Sequence, residues 1–228
     1  MAIKFLCCDV FKEELLSLKP PEDMDVEFIS MGLHLHPAKL HQEICQIMAR
    51  TTGYSLVILG FGLCGSSLKG VQAPDCPLVM PRVHDCIPVL LGSKDRYRAM
   101  QRENKQTFYS SGGWTEGDRM MISEYERSCI KFGPKKTLKI FNMMFEHYNR
   151  LMFVDTGHPR HALTLGKTRD FAGILHLPCE ETTGSLEYLK RLMTGPWDEE
   201  DFVLIPAHQE IREEDFIIAG EEVQIQGA

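Results

Sequence analysis

A chain of 228 residues that is 43% hydrophobic and 25% charged has the composition of a globular protein able to bury a substantial core, as one large domain or two small ones. Its formal charge of −7, from 32 acidic against 25 basic side chains, argues against broad binding to a nucleic-acid backbone. No stretch approaches the roughly 20 apolar residues of a membrane span, and Lys12-Glu13-Glu14 cuts off the apolar start before it reaches the length of a secretory signal; a soluble, cytoplasmic protein without nucleic-acid or membrane partners is expected.

In chain order, apolar strand-like runs are expected over residues 3–8, 26–30, 55–60, 78–81, 151–155, 172–177 and 202–206. Several are almost continuously apolar, as strands covered on both faces are. Helical patterns fall between them, over residues 37–50, 94–102, 135–150 and 185–193. The last starts at the capping residue Ser185, carries Lys190 and Arg191 late and meets Gly195-Pro196 as a stop. Leu138, Phe141, Met144, Phe145 and Tyr148 recur at helical spacing, which makes Met143-Met144 core rather than a soft-metal box. The region 108–136 takes no clear assignment, and the acidic tail with Phe216-Ile217-Ile218 suits an edge strand or a contact in a homo-oligomer.

Strands alternating with helices predict an α/β fold with a mainly parallel sheet and flanking helices. The expected arrangement is two α/β lobes around a cleft, over residues 1–120 and 121–228, with the candidate metal site in the first.

The eight cysteines of a cytoplasmic protein read as reduced thiols, buried apolar residues or metal ligands rather than as a disulfide framework. In an open parallel sheet ligands collect beyond the carboxyl ends of the strands. That rule gathers Cys8, Cys64, His84, Cys86, Asp155, His158, Cys179 and His208 onto one rim. Cys64, His84 and Cys86 are the sharpest set: two thiols and an imidazole that leave a fourth zinc position for water or substrate. In an extended segment His84 and Cys86 share a face while Asp85 turns away. Cys8 either closes the site or takes part in chemistry. Zinc is the expected metal, with iron or an iron–sulfur centre using similar ligands; a metal-free reactive thiol, or buried cysteines beside a hydrogen-bonded histidine, are the competing readings. Asp85 would orient a ligand or the cleft backbone, and Arg82 would pair with an anionic substrate.

Gly60, Gly62 and Gly65 match the pattern G-x-G-x-x-G after a strand, yet too few residues follow for a crossover helix. They are better read as letting the backbone approach a bound cofactor while aiming Cys64 into the cleft. In the loop 109–117 Trp114 offers an aromatic platform over a ligand, or simply anchors a surface loop. His34 and His36 either line the cleft or enter the following helix. Asp155-Thr156-Gly157-His158 positions a polar ligand or forms a turn, and Cys45, Cys76 and Cys129 carry no catalytic argument.

Leu59-Gly60-Phe61-Gly62-Leu63-Cys64-Gly65, then Leu78-Val79-Met80-Pro81-Arg82-Val83-His84-Asp85-Cys86-Ile87, Leu91-Gly92-Ser93, Tyr97, Tyr109, Gly113-Trp114 and Trp197-Asp198-Glu199-Glu200-Asp201-Phe202 together resemble the uncharacterised DUF 1638 family over most of the chain. The resemblance implies a setting of corrinoid-dependent methyl metabolism in anaerobes and methanogens. His84-x-Cys86 with another cysteine is similar to the ligand type of zinc enzymes that activate a thiol as methyl acceptor, although here Cys64 precedes the pair and no barrel pattern accompanies it. The expected function is a metal-dependent α/β enzyme, a thiol or methyl-group transferase acting on a small molecule or a corrinoid protein. The alternative is a non-catalytic accessory protein that holds a corrinoid, another metallocofactor or a partner.

Overall fold

The computed structural model describes residues 2–116 and 121–217. Its strands are β1 (Ile3–Cys8), β2 (Met24–Ile29), β3 (Leu56–Gly60), β4 (Leu78–Pro81), β5 (Thr107–Ser111), β6 (Arg150–Asp155), β7 (Cys179–Thr183) and β8 (Phe202–Ile205). Its α-helices are α1 (Lys12–Ser17), α2 (Pro37–Arg50), α3 (Ile87–Leu91), α4 (Lys94–Glu103), α5 (Gly112–Glu116), α6 (Met121–Phe132), α7 (Pro134–Met144), α8 (His161–Ile174) and α9 (Glu187–Thr194). The α/β class is as expected.

The strands form a five-stranded sheet of order β2-β1-β3-β4-β8 and a three-stranded sheet of order β5-β6-β7. In the first, β2, β1, β3 and β4 are parallel and β8 runs antiparallel along β4, pairing Leu78 with Ile205 and Pro81 with Phe202. The second is parallel throughout. Buried runs such as Phe5-Leu6-Cys7-Cys8 and Val57-Ile58-Leu59 explain the central strands, which are covered on both faces. On α2, Pro37 opens the helix and Leu40, Ile44, Ile47 and Met48 form its buried stripe; on α9, Tyr188, Leu189, Leu192 and Met193 do the same.

The sheets do not follow a single cut in the sequence. β5 precedes residue 120 and belongs to the second sheet, while β8 returns to the first. The main core is continuous from one to the other through Tyr109, Met152 and Val154. Residues 117–120, beside the expected lobe boundary, and residues 218–228, with Ile218 of the expected tail element, lie outside the described residues.

Two expectations are corrected. Residues 172–177 form no strand: Ala172 belongs to the buried end of α8, with Phe171 and Leu175 on the same apolar stripe. A short apolar run cannot tell a buried strand from a buried helix turn. The strand beside β6 is instead β7, a polar Cys-Glu-Glu-Thr-Thr edge. The helix expected over 135–150 ends at Met144, with Met143 and Met144 exposed at its end rather than in the core, and β6 starts at Arg150.

The carboxyl edge of the three-stranded sheet is tied to the first sheet. Thr156, just past β6, donates to Glu14 of α1 at 2.7 Å, and Arg96 of α4 donates to Thr182 of β7 at 2.7 Å. Helix α5 fits between them because of two glycines: a Cβ on Gly113 would lie 2.1 Å from the Val10 carbonyl oxygen, and one on Gly112 would lie 2.3 Å from the His158 ring. Among the described residues no helix is long and apolar enough to cross a membrane.

Candidate metal centre

Strand order reverses at β1: β2 lies on one side of it, and the chain crosses over to place β3 and β4 on the other. The carboxyl ends of β1 and β3 therefore flank the crevice where open α/β sheets bind ligands. Four soft donors leave this edge, one from each parallel strand. Cys8 is the last residue of β1, His34 lies in the 3-10 turn Met31–Leu35 after β2, Cys64 follows β3, and Cys86 caps α3 after β4.

Local backbone chemistry fixes each one. Asp9 accepts from the Met31 N–H at 2.6 Å, which ties the end of β1 to the turn carrying His34. The segment after β3 runs beside the segment after β4: Leu63 N–H donates to the Val83 carbonyl and Cys64 N–H to the His84 carbonyl, both at 2.9 Å. This close approach requires Gly62, where a Cβ would come within 2.9 Å of the Asp85 backbone. Cys64 then adopts φ 50°, an uncommon left-handed conformation for a side-chain-bearing residue. Asp85 accepts from the Ile87 N–H at 2.8 Å and from the Tyr97 hydroxyl at 3.0 Å, so both of its oxygens are engaged.

The donors interact. Cys8 Sγ lies 3.5 Å from His34 Nε2. Burial pushes the Cys8 thiol well above its ordinary range, and the neighbouring Cys86 and Cys64 push it further. Burial also raises Cys86, helped by Asp85 and Cys64 and opposed by the Trp114 indole. That indole N–H is buried, without a partner at normal hydrogen-bond geometry, yet near enough to Cys86 to favour its thiolate. Cys64 is partly exposed, but its crowded surroundings and Asp85 push its thiol up to about 12. Burial lowers His34 to about 4, so its imidazole is neutral at pH 7, the state that ligates a metal. Without a cation the three thiols stay protonated; a divalent metal inverts that balance.

His84 falls elsewhere. The backbone from Arg82 to Cys86 bends rather than extends, and Cys86 sits at φ −81°, ψ −10°. Period-two alternation therefore does not apply, and the exposed His84 ring tilts against Phe216 at 6.3 Å. Arg82 is also committed elsewhere, its guanidinium donating to the carbonyls of Asp215 and Phe202. Gly60 is required by packing, since a Cβ there would lie 2.5 Å from Cys7 Sγ, and Gly65 serves a turn at φ +63°. The Gly-rich segment leads into turns over residues 61–70 rather than into a helix, which removes the helix N-terminus that a dinucleotide pattern needs.

The remaining rim residues separate. β8 is antiparallel, so His208 beyond it lies toward the opposite edge, exposed and 3.9 Å from Asp75. Cys179 begins β7 and so stands at its amino end. His158 is buried near the sheet junction, its Nδ1 accepting from the Arg160 N–H at 3.2 Å. Asp155, His161 and Glu181 place ligand atoms within 4.8 Å of one another, but the Arg169 guanidinium, 3.7 Å from Glu181, already opposes the carboxylate charge. Cys8 and His34 are in contact, but no three of the donors around Cys8 come within 4.8 Å of one another, so a metal would have to draw them inward. Sequence reasoning named His34 only as a loop candidate; its position just past β2 was the available signal. Tyr97, in mid-helix, is signalled only as one of the residues that carry the family resemblance.

These features define an open α/β protein with thiols gathered at the switch point of its mainly parallel five-stranded sheet. The chain belongs to the family described as Protein of unknown function (DUF1638), which matches residues 28–193. That span holds His34, Cys64, Cys86 and Trp114, while Cys8 precedes it. No curated protein and no solved structure matches the chain.

Proposed function

We propose that this protein is a metal-dependent enzyme that transfers a methyl or related group to or from a thiol, with its metal held by Cys8, Cys64 and Cys86 and with His34 as the imidazole donor in place of His84. The observation that carries this reading is the delivery of one soft donor from each of four parallel strands to a single edge, beside the switch point. Zinc suits the donor set best, since cysteinate and imidazole are its usual protein ligands, and iron is the alternative. When bound, such a metal lowers the pKa of a coordinated thiol and keeps it nucleophilic at neutral pH. Within the chain, Asp85 and Tyr97 fix the turn that carries Cys86, and the Trp114 indole N–H supports the Cys86 thiolate. The corrinoid setting enters through family resemblance. The test is turnover by anaerobically purified, metal-loaded protein supplied with methylcobalamin and a small thiol. Repeated turnovers lost in Cys86→Ser support the enzyme.

A second reading is favoured by the donor count. With His34 included, four protein ligands fill a tetrahedral zinc site, as in structural centres. The protein would then be a non-catalytic accessory that holds a metallocofactor or a corrinoid-protein partner. Metal-dependent thermal stabilisation without turnover selects this reading.

A further inference from the structure

Behind the Cys64 turn a second imidazole stands against a second thiol. His41 and Cys45 are four residues apart on α2, the spacing that brings helical side chains together. His41 Nδ1 lies 3.0 Å from the Ser67 carbonyl oxygen. A carbonyl oxygen only accepts, so Nδ1 carries a proton, and in the neutral ring Nε2 is the nitrogen that presents a lone pair. Cys45 Sγ lies 3.5 Å from that Nε2. Ser67 is itself held, its N–H and its hydroxyl both donating to the Cys64 carbonyl, at 3.2 and 2.8 Å. A nucleophile, a base within reach and a third group that orients the base make up the signature of an activated thiol. Cys45 is partly exposed, so a reagent can reach it.

We propose that Cys45 is a nucleophilic thiol, with His41 as its base and the Ser67 carbonyl as the orienting group, that is covalently modified by soft carbon electrophiles. The Sγ proton passes to His41 Nε2, Sγ forms a bond to carbon, and the leaving group departs with its bonding electrons. The imidazolium then returns its proton to water. Burial alone raises the Cys45 thiol above its ordinary range, so the reactivity must come from the base. None of the three residues is among the proposed metal donors, and the inference stands apart from the metal reading.

Cys129 and Cys179 are internal controls. Both are partly exposed, and they face other groups: Cys129 stands beside the Tyr125 phenol, and Cys179 Sγ points toward the Glu180 carbonyl at 4.0 Å. The experiment is limited iodoacetamide treatment of the folded full chain, with the rate at each cysteine read by peptide mass spectrometry. Cys45 should react about tenfold or more faster than Cys129 and Cys179. In His41→Asn, whose amide can still donate to Ser67, the Cys45 rate should fall to about that of Cys179 while the controls keep theirs. Equal rates at the three cysteines in the unaltered protein overturn the proposal, a comparison that does not depend on the variant folding. An unchanged Cys45 rate in His41→Asn overturns it too.

Discussion

At the residue scale, which histidine serves the thiols decides the donor set. His34 Nε2 lies 3.5 Å from Cys8 Sγ, whereas His84 is exposed against Phe216. His34→Ala should weaken zinc binding by at least about tenfold, and His84→Ala should leave it unchanged, as read by competition with a chromophoric chelator. The reverse order would restore the His84 assignment. The thiols were legible in the sequence because Cys8, Cys64 and Cys86 each end or closely follow a buried apolar run. The sharing of a face by His84 and Cys86 rests on an extended backbone, and the bend before α3 is not visible in the spacing. The partners of Arg82 are not legible in the sequence, because the carbonyls it binds belong to Phe202 and Asp215, more than a hundred residues away.

At the element scale the junction of the two sheets depends on α5. Its glycines Gly112 and Gly113 touch His158 and Val10, and its Trp114 reaches Cys86. Gly113→Ala should cost about 1–3 kcal/mol or more in chemical denaturation, because the backbone carbonyl it meets cannot rotate away. Gly166→Ala is the contrast. Gly166 lies inside α8 with nothing within 4 Å of an added Cβ, so alanine there should add about 0.5–1 kcal/mol of stability through helix propensity. Gains or losses of the same size at both positions would contradict the packing described. Most strands and the helices α2, α4 and α9 were legible from apolar runs and caps. The stretch holding β5, α5 and α6 was not, because β5 is bounded and paired through partners at Arg150 and beyond.

At the scale of the whole molecule the buried ionisable groups set the pH range of the metal-free protein. His34 titrates near 6.5 when unfolded and near 4 when folded, so the unfolded state binds more protons between those values and stability is lost as pH falls through them. The size is on the order of 3 kcal/mol. Asp85 and Glu14, both raised by burial, act in the opposite sense, since the folded state takes up their protons first. The comparison is therefore between the metal-free protein and His34→Gln. The variant should lose less stability between pH 6.5 and 4 than the parent in urea denaturation; parallel curves would contradict a neutral, buried His34. On the alkaline side Cys64, raised to about 12, stabilises the folded state fully below about pH 9 and loses that contribution as pH rises toward 12. Metal binding must displace these thiol protons, so affinity should strengthen as pH rises through the neutral range.

Whether four parallel strands gather their soft donors for a metal is decided by elemental analysis of protein purified without oxygen. Stoichiometric zinc or iron is expected in the parent chain, and its loss from Cys64→Ser and Cys86→Ser variants that still unfold cooperatively. A metal-free parent chain, or metal retained by both variants, would contradict a metal at this edge.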